Sequence, residues 1–438
     1  MKKNILVFAL VLMFALVSCA EPHVHVFDKE IVAERYLASP ATEKTAAEYY
    51  KSCECGEKGT ETFTVGGSVS RWGGTVFTWE SNFSVDSEKG FIKDESLQSS
   101  YQNSSCVANA KKFIEWFDSK LVDTEKISLM TDGERKTSSN YRIAEVTVSS
   151  ADTLASIGLL QKYFAAKCIV VADESSNKYL YNDYYYWATA ARAAEIYVDI
   201  DMDLNGSKYN WTPVDCPYPV DFKGHTISNL NCVHPEGENV GLFKSTGVSN
   251  LVLENAVVQG KQYVGAVTGG CSTSLENVKV LNSSVKGYKY IGGIVGQSYA
   301  NISNSKVEDS KVIGVEASYQ IGGIVGFQCQ GTVSGCTVSK CEITASKEIG
   351  GIAGRAYIQS EKDIVIEDNM VAGTTVATLE GTKASSFIGG KTDYAGFVCG
   401  GNYLSSMDGN TYDGKPSTTD YPNATCRISN NTVDGTKH

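Results

Sequence analysis

From residue 248 to 376, five eleven-residue segments carry hydrophobic and polar positions in the same order. They read VSNLVLENAVV from Val248, LENVKVLNSSV from Leu275, ISNSKVEDSKV from Ile302, VSGCTVSKCEI from Val333 and IEDNMVAGTTV from Ile366. Position 1 is aliphatic, position 6 is Leu253, Val280, Val307, Val338 or Val371, and position 11 is Val or Ile. Positions 4–6 and 9–11 alternate inward, outward, inward, which is strand periodicity with one buried face. Asn, Asp and Gly between them suit sharp corners and left-handed backbone angles. No copy has the apolar spacing of three and four that a helical repeat needs.

The segments start 27, 27, 31 and 33 residues apart, and shortened copies begin at Met407 and Ile428. A period of this size means a solenoid rather than a folded-up globule. A second pattern lies between the segments: IGGIVG at 291–296 and 321–326, and IGGIAG at 349–354. Two short strands and a corner, followed by this glycine-rich strand, make one coil of a parallel β-helix. Stacked coils place identical columns about 4.8 Å apart. Position 6 then forms an aliphatic ladder and position 9 a ladder of small side chains. Position 4 changes from Leu251 and Val278 through Ser305 and Cys336 to Asn369, Asn410 and Asn431, a column in which stacked Asn would hydrogen-bond from rung to rung. The glycine pair is expected to let the backbone turn tightly where two sheets meet.

The stretch YIGGIVGQSYANISNSKV resembles the GLUG-type repeat of bacterial surface proteins. YVDIDMDLNGSKYNWTPV, FKGHTISNL and NVGLF ahead of it resemble the entry to such a β-helix. The resemblance covers roughly 190–435 and is best over 239–354. It implies a surface-exposed right-handed β-helix, often adhesin-like, with no catalytic residues to carry over. The expected fold is thus all-β dominated: a right-handed parallel β-helix with an N-terminal capping helix and a smaller irregular α+β N-terminal region.

VTVSSADTLASIGLLQKYFAAKCIVVAD at 146–173 reads as strand, helix, strand. Leu154, Ile157, Leu160, Tyr163 and Phe164 form an apolar helical face able to cover the open first coil, whose unpaired edge would otherwise invite aggregation. CVANAKKFIEWFDSKLV predicts a further helix, with Val107, Ala110, Ile114, Phe117 and Leu121 on one side. At the N-terminus, Lys2 and Lys3 precede an apolar run from Ile5 to Leu16, too short to span a bilayer and shaped like a signal peptide. Leu16-Val17-Ser18-Cys19 resembles the bacterial lipobox, which implies cleavage before Cys19, a lipid on that residue and a place in the cell envelope. Ala20 is not the Asp linked with inner-membrane retention, so the outer membrane or cell surface is expected. The organisation is a signal peptide at 1–18, an anchor-proximal segment at 19–65, a region of unassigned fold at 66–145 and the capped β-helix at 146–438. YYKSCECGEKGTETF in the second of these resembles a short module of surface proteins in anaerobic bacteria and implies no activity.

The 438 residues carry a net charge of -11 and a pI of about 5.1, so nucleic acid is not an expected partner. Loss of Lys2 and Lys3 takes the charge to -13 (-11 minus 2). Of 13 cysteines, 12 remain beside the lipid cysteine, and their spread predicts few bridges, with Cys216–Cys232 the expected local pair.

His23, His25, Cys53 and Cys55 are two donor pairs of the kind that hold zinc, although one-residue spacings are unusual for structural zinc. Asp201, Asp203 and Asn205 open like a calcium loop, but Thr212 stands where the bidentate Glu belongs, and alternating Ile200, Met202 and Leu204 also fit a strand with one buried face. No cofactor is required by either pattern. Lys244-Ser245 follows Phe243 where a phosphate loop requires glycine. YLYNDYYYW offers Tyr181, Tyr184, Tyr185, Tyr186 and Trp187 either as a platform for a glycan or a surface protein, or as rings packed on the capping helix. From residue 240 onward Arg355 and Arg427 are the arginines and His438 the one histidine, so no catalytic constellation emerges. The expected function is a lipid-anchored surface protein that binds a ligand without chemistry of its own. Its rivals are a polysaccharide-active enzyme, which predicts an acidic cluster on one solenoid face, and a passive envelope component.

Overall fold

The structure, a computed structural model, describes residues 25–31, 33–39, 47–65, 104–120, 127–129, 144–174, 178–189, 194–206, 210–384, 386–388, 395–402, 412–414 and 424–437. They fall into two compact units, one up to Val65 and the other from Ser104 onward. The first is a three-stranded antiparallel sheet of Leu37–Ser39, Ala47–Ser52 and Lys58–Val65. Its core is small, with Tyr36 and Tyr49 buried and the Tyr36 hydroxyl donating to the Gly56 carbonyl at 2.9 Å.

The second unit is a parallel β-solenoid of about six turns with a few helices. Three ladders run along it. Val248, Leu275, Ile302, Val333 and Ile366 stack in register on the first. Leu253, Val280, Val307, Val338 and Val371 stack on the second. Val258, Val285, Val312, Ile343 and Val376 stack on the third. These are positions 1, 6 and 11 of the sequence repeat, and all are buried in one continuous core.

The corners follow from the residue types at positions 3 and 8. Asn250, Asn277, Asn304, Gly335, Asp368 and Asn430 have φ between 50° and 64°. Asn255, Asn282, Asp309, Lys340 and Gly373 lie between 48° and 55°. These are left-handed angles, which Asn, Asp and Gly tolerate best. Inside the corners, positions 4 and 9 satisfy the backbone from rung to rung. The Val278 amide donates to Ser305 Oγ at 3.2 Å, and the Cys336 amide to Asn369 Oδ1 at 2.9 Å. Asn369 Nδ2 then donates to Asn431 Oδ1 at 2.9 Å. At position 9 the Ala256 and Ser283 amides donate to Ser283 and Ser310 Oγ, each at 3.0 Å.

The glycine hexapeptide is scaffold, for a different reason from the tight turn expected. Gly292, Gly293 and Gly296 are absent from the left-handed residues. They are glycine because neighbouring backbone leaves no room for a Cβ. One on Gly293 would strike the Gly323 carbonyl of the next coil, and one on Gly296 the Tyr263 backbone of the previous coil. Register extends the motif beyond the three copies legible in the chain. Val264-Gly265 stacks beneath Ile291-Gly292, and Ala395-Gly396 above Ile349-Gly350.

Two sequence expectations are corrected. The short copy at Met407 does not form a rung on the first ladder, because Ile366 pairs directly with Ile428, and Tyr412–Gly414 runs antiparallel along Cys426–Ser429 instead. Position 6 of that copy is Tyr412, too large for an interior column of Val and Leu. Met407 and Asn410 lie outside the described residues. The strand expected at the end of 146–173 is helical: Leu160–Glu174 continues through Cys168 and Ile169. A short apolar run of β-branched residues is ambiguous, and helix wins here because Leu160, Phe164 and Cys168 recur every four residues and are buried.

Added strands finish the first ladder at both ends. Ala144–Val148 and Ala194–Val198 pair parallel and extend the first ladder past Val220, and Ile127–Leu129 finishes that edge antiparallel. The helices Ala151–Ser156, Leu160–Glu174 and Lys178–Thr189 form the crossover between those two strands. Ser150 starts it as an N-cap, its Oγ accepting from the Thr153 amide at 3.0 Å. Leu154, Ile157, Leu160, Tyr163 and Phe164 are buried as expected, with Phe164 edge-on to Tyr218 of the solenoid entry. Ser104–Lys120 buries Val107, Ala110, Ile114 and Phe117 against the same core; Leu121 lies outside the described residues. Thr153–Val171 is apolar and long enough to cross a membrane, but half of that window is buried in this core. At the far end an Asp434-Gly435 hairpin folds Thr436–Lys437 back on Thr432–Val433.

Candidate ligand-binding face

The residue before each glycine rung occupies a third left-handed column: Asn239, Tyr263, Tyr290, Gln320 and Glu348, with φ from 54° to 67°. The other two columns are filled mainly by Asn, Asp and Gly. This one holds Tyr, Tyr, Gln and Glu after its first Asn, residue types for which the angle is costly, on the order of 1–3 kcal/mol each.

Tyr263 and Tyr290 of this column, with Phe327 and Tyr357, build an aromatic stripe across successive coils. Tyr263 stacks on Tyr290 and Tyr290 on Phe327, each pair at 5.0 Å between centroids. Phe327 is followed by Tyr357 at 6.5 Å, with the Arg355 guanidinium 4.9 Å from the Tyr357 centroid. Because these rings face one another at the rung spacing, the stripe presents mainly edges outward. Arg355 Nη1 also lies 3.7 Å from Glu348 Oε2, and both side chains are largely buried. Burial pushes the Tyr299 hydroxyl upward, and its oxygen donates to Gln359 Oε1 at 2.7 Å.

Beside the stripe, Tyr319 is surrounded by groups from three coils. Tyr288 meets it edge-on at 5.7 Å, and Tyr290 lies 6.5 Å away. Lys289 Nζ is 5.1 Å and Lys347 Nζ 5.5 Å from the Tyr319 centroid. Tyr288 and Lys347 are exposed, and among the described residues neither Lys289 nor Lys347 is paired with a carboxylate. A bulge in the fourth coil adjoins this group. Register runs from Gly287↔Gly314 to Lys289↔Tyr319, so coil four carries three extra residues, 315–317, at this point. Such insertions re-aim side chains and collect on binding faces of solenoids.

The residues singled out by the sequence lie elsewhere. Lys178–Thr189 is a helix, with Tyr184, Tyr185 and Tyr186 half-buried and Tyr184 and Tyr186 packed against the core. The side chains of Tyr181 and Trp187 lie outside the described residues, as do Cys19 and His23. Asp201 Oδ1 accepts from the Thr226 amide at 2.7 Å and meets His225 Nδ1 at 3.0 Å. The Thr226 hydrogen bond, then His225, holds the Asp201 carboxyl below its usual range. Asp203 Oδ1 instead accepts from the Asn205 amide at 2.7 Å, a local turn. Among the described residues, one group of three or more His, Cys, Asp or Glu brings its donor atoms within 4.8 Å: His25, Cys53 and Cys55.

Cys216 and Cys232 are not bonded to each other. Cys216 donates to the Tyr218 carbonyl and Cys232 to the Gly241 carbonyl, each at 3.4 Å, so both are small core hydrophobes rather than a bridge. The bridge present among the described residues joins Cys53 and Cys55. The Tyr319 group could have been found by aligning the chain on its glycine rungs rather than on the eleven-residue segments. Gln262, Lys289, Tyr319 and Lys347 then fall in one column, beside the column of Tyr263 and Tyr290.

The GLUG motif family model matches residues 287–313, the span from the third coil's glycine rung into the fourth coil. No curated protein and no solved structure matches the chain. The motif together with the stacked coils supports a GLUG-repeat β-helix protein.

Proposed function

We propose that this chain is a lipid-anchored cell-surface protein whose β-helix binds an acidic glycan on the face around Tyr319, in adhesion and without catalysis. The observation that carries the proposal is the cluster of Tyr288, Lys289, Tyr319 and Lys347 beside the coil-four bulge. Tyrosine rings pack on the C–H faces of sugars, and two lysines with no carboxylate partner among the described residues suit a uronate or sulfate. The chain's net charge of -11 opposes acidic polymers at long range, but screening beyond about 8 Å leaves the local lysines to decide. Several acids elsewhere on the solenoid sit beside lysines, as in Lys306–Glu308 at 2.6 Å and Lys311–Glu342 at 2.9 Å, which favours a charge-balanced surface over a catalytic acid cluster. Leu16 to Cys19 supports the anchor.

A glycan array probed with soluble residues 20–438 tests the binding. Uronate- or sulfate-bearing glycans should be retained and their neutral counterparts not; a blank array, or retention of neutral glycans alone, contradicts the proposal. Display is checked by labelling cells with a palmitate analogue, which should mark the wild type and not Cys19→Ser.

A further inference from the structure

The strongest unexplained cluster lies in the N-terminal unit. His25 Nδ1 is 3.3 Å from Cys53 Sγ and 3.3 Å from Cys55 Sγ. The backbone builds this convergence. The Cys53 amide donates to the Glu57 carbonyl and the Gly56 amide to the Cys53 carbonyl, each at 3.0 Å, so residues 53–57 form a tight loop with Gly56 at φ 89°. Lys29 and Ser52 exchange two backbone hydrogen bonds of 2.9 Å, which hold the segment carrying His25 against the strand that ends at Ser52. Cys53 is buried, whereas Cys55 and His25 are exposed.

In this structure the two sulfurs are bonded. A bridge across one intervening residue restricts the unfolded chain little, since the entropic gain grows with loop length. Stapling is therefore a weak reason for placing two cysteines on one turn beneath an imidazole. One nitrogen and two sulfurs are a zinc donor set. Bonds of about 2.05 and 2.3 Å at tetrahedral angles put nitrogen and sulfur about 3.5 Å apart, close to the distances here, and two sulfurs about 3.8 Å apart. Rotation of the exposed Cys55 side chain opens the second distance once the S–S bond is broken.

We propose that His25, Cys53 and Cys55 form a redox-gated zinc site. In the reduced state His25 Nδ1 and the two thiolates hold Zn²⁺, with the fourth position open to solvent. Oxidation by a low-molecular-weight disulfide forms the Cys53–Cys55 bond, splits the reagent into two thiolates and takes two electrons from the protein sulfurs. Zn²⁺ leaves because bonded sulfur is no longer a thiolate ligand. The buried cysteines of the solenoid do not compete: burial pushes the Cys216 and Cys336 thiols up to about 12 and Cys329 to about 11, so they stay protonated.

The test uses the untagged full chain, reduced with a phosphine, desalted without oxygen and titrated with Co²⁺ and then Zn²⁺. The expected result is about one equivalent of metal, with near-ultraviolet thiolate-to-cobalt absorption that Zn²⁺ displaces. Cys55→Ser, at an exposed position, should abolish that absorption. His25→Ala should weaken binding by more than the about 10–100-fold that an outer-shell partner is worth. Treatment with glutathione disulfide should release the metal stoichiometrically with loss of two free thiols. A reduced wild type that binds no metal, or binding unchanged in Cys55→Ser, overturns the site. Metal retained after oxidation overturns the gate.

Discussion

At the scale of single residues, the solenoid is set by where a Cβ or a polar atom has a place. Gly293→Ala pushes a methyl group into the Gly323 carbonyl and should cost about 1–3 kcal/mol in chemical denaturation. Gln320→Gly acts in the opposite sense. It removes a side chain at φ 67° whose buried Oε1 accepts no hydrogen bond among the described residues, so it should cost no stability. Asn369→Ala strips partners from the Cys336 amide and the Val333 carbonyl, a loss of about 1–3 kcal/mol, while Asn369→Ser should cost less because Ser305 already fills the same column. His234 adds a pH dependence. Burial first of all lowers its pKa, and Nε2 lies 2.8 Å from the Trp211 carbonyl, which it meets as a donor. Below the unfolded value of about 6.5 the unfolded chain takes up a proton that the native imidazole refuses, so stability rises with pH across that window. Thermal melts should show the midpoint falling as pH drops below about 6.5, with a shallower slope in His234→Gln. Residue columns of this kind were legible in the chain wherever the same residue type recurs. The reason for the glycines was not, because close approach between coils is a property of the stack.

At the scale of elements, each coil is a set of short strands that no local propensity would hold, and stacking supplies the stability. Ile321 is buried between Ile291 and Ile349 on adjacent rungs, so Ile321→Ala should cost about 2–5 kcal/mol. The coil-four bulge is different. Removing residues 315–317 joins Gly314 to Ser318 and restores the single residue that stands between Gly287 and Lys289 in coil three. The deletion should leave the melting midpoint within a few degrees of wild type yet reduce glycan binding. A large loss of stability would show instead that the bulge is part of the scaffold. The coils were readable because position 1 of the repeat is also the register of the first ladder. The helix through Cys168 and Ile169 was misread because a short β-branched run has the same composition in either state. The Tyr319 group was missed because its members belong to three coils and come together only through register.

At the scale of the whole molecule, the second unit has one core from Val107 to Val433, closed at one end by a βαβ crossover with its helices and at the other by a hairpin. Unpaired ladder edges are what drive end-to-end association; here the first ladder carries an antiparallel strand at each end and the second at its C-terminal end. The soluble chain should therefore run as a monomer in light scattering; filaments would favour a passive envelope role. What distinguishes the faces of this solenoid is the column where Tyr, Gln and Glu hold left-handed angles beside Lys289, Tyr319 and Lys347. The decisive measurement is a calorimetric titration of the strongest acidic glycan from the array against three proteins: wild type, Lys289→Ala/Lys347→Ala, and Tyr184→Ala/Tyr185→Ala/Tyr186→Ala. Ligand binding by the solenoid face predicts about a tenfold or greater loss in the lysine variant, equal to about 1.4 kcal/mol, and an unchanged affinity in the helix variant. Loss in the helix variant with the lysine variant intact would contradict it and move the site to the capping helix.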